Sequence, residues 1–202
     1  MLPFSTPAQP ETYRRKSNGL SHFFETFPDR PNLEVLDLGG LTQLNVDFLS
    51  KHGCKIHALD LLADFDYCKE HLPDRQFDPQ TAQQFIDEYL NYSMDQFDAI
   101  LAWDTLEHLD VDLLNLTVPW LGEILSPHGS LLTFFHTQSR GEMVRVYRYQ
   151  IEDSQVLTLQ VRQQRTLQQT FNNRNLERLF GSFRSVKFFL TRDSLREVIA
   201  VR

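Results

Sequence analysis

Apolar positions along the chain follow two rhythms, and their alternation predicts the elements. Leu33–Leu38, Lys55–Leu61, Phe97–Trp103 and Ser130–His136 read as short buried strands. Stretches with helical spacing lie before and between them. Glu11–Phe27 sets Leu20, Phe23, Phe24 and Phe27 at helical spacing and is stopped by Pro28 and Pro31. Val46–His52 closes at Gly53. Thr81–Tyr92 carries Phe85, Ile86 and Tyr89 on one side, a helical stretch runs through Glu107, and Val118–Leu125 follows. Pro127-His128-Gly129 is a turn. In the last third, Val144–Ile151 and Val156–Arg162 form a hairpin, Asn175–Phe180 a short helix ending at Gly181, and Val186–Leu190 with Glu197–Val201 a final strand pair. Strand–helix alternation of this kind predicts an α/β fold with parallel strands. Pro3, Pro7 and Pro10 make residues 1–10 a flexible tail. Residues 11–202 are expected to be one domain with a hairpin inserted at about 144–163.

Composition narrows the class. The chain has 202 residues, 41% of them hydrophobic and 23% charged, within the range of globular proteins. No run of about 18 apolar residues predicts a membrane span, and Met1–Pro10 lacks the pattern of a secretory signal. Two cysteines, Cys54 and Cys68, make no disulfide framework, so a reducing, cytoplasmic setting is expected. The net charge of −7 is unevenly spread: residues 1–137 hold 8 Lys and Arg against 21 Asp and Glu, and residues 138–202 hold 12 against 6. The basic third suits an anionic partner, or compensates the acidic part within one fold. An acidic chain without an aromatic–basic motif argues against nucleic acid.

Candidate chemistry begins at Val35-Leu36-Asp37-Leu38-Gly39-Gly40. A strand ending in an acid and then glycines lets backbone approach a ligand at its carboxyl end. Twenty-three residues after Asp37, Ile56-His57-Ala58-Leu59-Asp60 ends a second strand in a carboxylate. That spacing suits an acid that accepts hydrogen bonds from ribose hydroxyls.

On these segments the chain resembles the class I S-adenosylmethionine-dependent methyltransferases. Val35–Gly40 is similar to the family's first cofactor motif and Ile56–Asp60 to its second strand. Phe97–Leu109 is similar to its fourth strand and following helix, and Leu125–Leu132 to its turn and fifth strand. The resemblance covers about residues 30–137, and 175–202 less closely. It implies a Rossmann-like three-layer sandwich around a mostly parallel seven-stranded sheet. It also implies S-adenosylmethionine as cofactor, held by Asp37, Gly39, Gly40, Asp60, Asp78, Trp103 and Asp104, with transfer to an unidentified acceptor. Asp37 suits the donor's ammonium and would repel a pyrophosphate, which weighs against a dinucleotide.

The glycine loop departs from the family pattern. Aligned on Asp37, glycines are expected at 39, 41 and 43, but Leu41 and Gln43 stand at the last two. A Cβ at a left-handed or ligand-facing position costs about 1 kcal/mol or more, and Gly40 offers a shifted turn. The function expected is a methyltransferase acting on an unidentified acceptor, with a catalytically silent domain of that fold serving protein binding or dimerisation as the alternative. Asp78 is either a third strand's end at the adenine or a helix cap. Trp103 either faces the cofactor or fills core. His136, at the carboxyl edge, and His108 are the candidate bases. No metal is expected: His52–His57 offers ligand types, but a strand turns Cys54 and His57 to opposite faces. The arginine-bearing hairpin is read as a lid, an anion clamp or, preferred here, a pairing surface for a second copy or a protein partner.

Overall fold

The computed structural model describes residues 11–72, 77–191 and 193–202. In chain order the elements are β1 (Thr12–Lys16), α1 (Asn18–Glu25), β2 (Leu33–Asp37), α2 (Gln43–Lys51), β3 (Cys54–Ala58), α3 (Leu61–His71), α4 (Pro79–Tyr89) and β4 (Phe97–Trp103). A single 3-10 turn (Leu106–His108) leads to α5 (Val111–Ile124) and β5 (Leu125–His136). Then come β6 (Met143–Asp153), β7 (Val156–Thr166), α6 (Asn173–Leu179), β8 (Ser185–Leu190) and β9 (Leu195–Val201).

The main sheet runs β3-β2-β4-β5-β9-β8. Its first four strands are mutually parallel, and β9 is antiparallel to both neighbours. Every residue of β4 is buried, as a central strand covered on both faces requires. Alternate residues divide between the layers. Ile100 and Ala102 join the core built with α3, α4, α5 and α6, while Ala99, Leu101 and Trp103 join the core on the other face.

That second face is where the structure departs from expectation. It is covered by α1 and α2 and by a separate three-stranded sheet, β1-β7-β6, whose Tyr149, Ile151, Leu157 and Leu159 are buried in the core. The hairpin is therefore a packed layer of the fold. It is also longer than its apolar runs suggest. Residues 12–16, expected to open a helix, are instead β1, paired antiparallel with β7 from Thr12↔Gln160 to Lys16↔Val156. Ser17 ends that strand and caps α1, its side chain accepting the Leu20 N–H.

Among the described residues the main sheet has six strands, not seven. Residues 73–76, next to the expected third strand, lie outside the described residues, as does the tail at 1–10. Asp78 is not a strand end at a ligand: it caps α4, accepting from Thr81 N at 2.7 Å, with Pro79 in the first turn. Helix α5 starts seven residues earlier than expected, with Pro119 inside it. The stretch through Glu107 is a single 3-10 turn. No described helix is long and apolar enough to cross a membrane.

Candidate functional site

Strands β2, β3, β4 and β5 end at one edge of the sheet, and their last residues carry the candidate chemistry. Asp37 ends β2 and is buried. It accepts from Gly39 N (3.0 Å), Asn45 Nδ2 (3.0 Å) and Trp103 Nε1 (2.6 Å). Trp103 ends β4 in the left-handed region, φ +49°. Its indole stacks on Tyr149 of β6, with centroids 5.0 Å apart and planes within 3°. The same indole lies over Gly39, where an added Cβ would stand 2.9 Å from Nε1. Gly40 adopts φ +83° beside Asp60, so the shifted left-handed turn is present. Leu41 is exposed, Thr42 caps α2, and Gln43 already belongs to the helix.

Asp60 follows β3 and caps α3, accepting from Ala63 N at 3.2 Å. Both its oxygens are taken by Arg162 of β7, Nη1 at 3.1 Å and Nη2 at 2.7 Å, a bidentate clamp. A second hairpin arginine, Arg165, pairs with Asp66 on α3. Both arginines thus join the hairpin layer to α3 instead of facing open solvent.

Farther along the edge lies a second group. Asp104 is fully buried and accepts from Tyr147 N at 3.2 Å. Glu107, on the 3-10 turn, takes the backbone N–H of His136 at 2.8 Å through one oxygen and the His136 Nδ1 through the other. His108 Nε2 lies 3.7 Å from that second oxygen. Burial pushes the Asp104 carboxyl up to about 7, with Glu107 adding and His136 opposing. Burial likewise raises Glu107 against the pull of His136. His108 is pushed down to about 3 by burial, then by the charges of Arg165 and His136. Burial works against protonation of His136, but the hydrogen bond and charge of Glu107, helped by Asp104, outweigh it and raise the imidazole.

The structure thus gathers Asp37, Gly39, Gly40, Asp60, Trp103, Asp104, His108 and His136 at one edge and leaves Asp78 on an exposed helix start. It resolves Trp103 as a core side chain. Asn45 was invisible to sequence reasoning, because its partners Asp37, Tyr149 and Ile151 come from two other elements. Glu107 had a signal, its place after a strand that ends at the edge, but its partner His136 is 29 residues away.

A mostly parallel sheet with helices on both faces and carboxylates ending adjacent strands defines the class I methyltransferase fold. Residues 11–182 match the family model described as "Methyltransferase domain", and the chain belongs to that family. Among solved structures, a SAM-dependent methyltransferase from Methanosarcina mazei aligns at TM-score 0.51 and 12% identity, covering 89% of this chain and 96% of that one. A protein from Pyrococcus horikoshii aligns at TM-score 0.51 and 10% identity over 91% and 87%. A SAM-dependent methyltransferase from Leishmania major aligns at 0.50 and 14% over 91% and 70%. At such identities these likenesses concern the fold alone. Among curated proteins, none matches the chain.

Proposed function

We propose that this chain is a methyltransferase-family domain that has closed its own donor groove and works as a catalytically silent binding domain. The observation that carries this reading is the Trp103 indole seated on Gly39 with its N–H on Asp37. The donor's methionine end would need that carboxylate and that glycine backbone, and the protein's own side chain uses both. Its ribose would need Asp60, whose two oxygens are clamped by Arg162. To bind here, S-adenosylmethionine would have to displace Trp103 from Asp37 and Gly39 and Arg162 from Asp60. Opening it takes more than one rotamer change, because Trp103 is stacked on Tyr149 and Tyr149 belongs to a buried layer. Leu41 and Gln43, in place of the family's glycines, support the same reading.

The surface this reading assigns to a protein partner is the outward face of the β1-β7-β6 layer, where Arg14 and Lys16 are exposed. Titration calorimetry with S-adenosylmethionine and with S-adenosylhomocysteine tests the proposal. The expected result is no heat of binding at millimolar ligand with the protein folded. Micromolar binding that disappears in Asp60→Ala would overturn it. That outcome would favour the second reading, a methyltransferase acting on an unidentified acceptor, which rests on the family and on Asp37 and Asp60 standing at the ends of adjacent strands.

A further inference from the structure

We propose that Glu107, His108 and His136 form a binding site for one divalent first-row transition ion of the zinc type. Their ligand atoms, a Glu107 oxygen and one imidazole nitrogen from each histidine, lie within 4.8 Å of one another. The topology makes the cluster: β4 and β5 are parallel neighbours, so the 3-10 turn after β4 meets the last residue of β5. Ligand atoms about 2.0–2.2 Å from a shared zinc ion stand roughly 3–3.6 Å apart. His108 Nε2 is 3.7 Å from the Glu107 oxygen, close to that separation. His136 Nδ1 is hydrogen-bonded to the same Glu107 oxygen, through a proton that a metal ion would displace.

A further observation points to a missing ligand. His108 Nε2 is buried without a hydrogen-bond partner, on a side chain only 3% exposed. Buried polar atoms are rarely left unpaired, and a cation would satisfy the imidazole lone pair and the Glu107 carboxylate together. The carboxylate is already oriented as an outer bond would orient it, since its other oxygen holds the His136 backbone N–H.

The donor set selects the ion. Two imidazoles and one carboxylate suit zinc and its first-row neighbours, whereas magnesium and calcium take oxygen ligands. Two cavities supply access: His108 lines one of about 320 Å³ with Lys69 and Arg165, and His136 lines one of about 360 Å³ with Gln138 and Arg145.

The experiment uses the full chain freed of metal by chelator and titrated with Co²⁺ or Zn²⁺, with Mg²⁺ as control. It contains no methyl donor, so its outcome is separate from the reading of the donor groove. One equivalent of Co²⁺ is expected to bind, giving d–d absorption bands without a thiolate charge-transfer band, and Zn²⁺ is expected to displace it. Mg²⁺ is expected to give no response. His108→Phe, which removes a nitrogen that bonds to nothing else in the protein, is expected to stay folded and to bind at least about 10-fold more weakly. No binding by the unsubstituted chain at 1:1 and higher ratios would overturn the site. So would unchanged affinity in folded H108F, or a thiolate band pointing to Cys54 or Cys68. Should H108F fail to fold, X-ray absorption of the Zn²⁺-loaded chain decides. Two imidazoles in the zinc shell support the site, and one or none refutes it.

Discussion

Three donors converge on Asp37, yet its carboxyl stands above the ordinary range, because burial outweighs the bonds from Trp103, Gly39 and Asn45, and Asp60 adds to the rise. The sign of the pH effect follows. A raised carboxyl pKa means that the folded state holds the proton more tightly than the unfolded chain. Stability is therefore lost as pH rises from the ordinary carboxyl value through the raised one, and is level above it. Asp37→Asn has no such window. Urea unfolding of both proteins from pH 4 to 7 is expected to show the stability of the unsubstituted chain, relative to the D37N variant, falling as pH rises. A constant difference would mean that Asp37 titrates alike in both states. Asp37 itself was legible in the sequence, because an acid before glycines at a strand end is a local pattern. What holds it was not: Trp103 lies 66 residues away, and aromatic spacing alone does not say whether an indole faces a ligand or replaces one.

At the scale of elements, the outer edge of β6 shows how the hairpin is held. Asn45 of α2 donates to Tyr149 O at 3.1 Å and accepts from Ile151 N at 2.8 Å, as a neighbouring strand would. Asp104 accepts from Tyr147 N one step further along. Side chains thus occupy the middle of an edge that a second chain would otherwise use. Asn45→Ala strips partners from Tyr149 O, Ile151 N and Asp37 Oδ2 at once. Each buried group left unpaired costs roughly 1–3 kcal/mol, so the variant is expected to lose about 3 kcal/mol or more in chemical denaturation. A loss below about 1 kcal/mol would mean that water replaces the amide. The strands of the main sheet were legible because burial on both faces writes them as apolar runs. β1 was not: Thr12-Tyr13-Arg14-Arg15-Lys16 has no apolar run, and its strand state comes from pairing with residues 156–160. Its neighbour helix, rich in phenylalanine, extended the helical pattern backward over it.

Over the whole molecule, the decisive matter is whether the β1-β7-β6 layer is a lid or part of the core. A lid opens locally at small free-energy cost, through few buried apolar contacts. Here Leu157 is fully buried and Leu159 is 3% exposed, packed with Val35, Leu101 and Phe134 of the main sheet. Arg162 and Arg165 tie the layer to α3, and β1 ties it to the chain's own start. Native-state hydrogen exchange separates the two cases. The amides of Leu157 and Leu159 are expected to exchange only through global unfolding, with the same denaturant dependence as those of Ile100 and Leu101 in β4. If they instead exchange through a low-energy, denaturant-independent opening while β4 stays protected, the layer moves as a lid. The Trp103–Tyr149 stack would then part without unfolding, and the donor groove would be a gated site in place of a filled one.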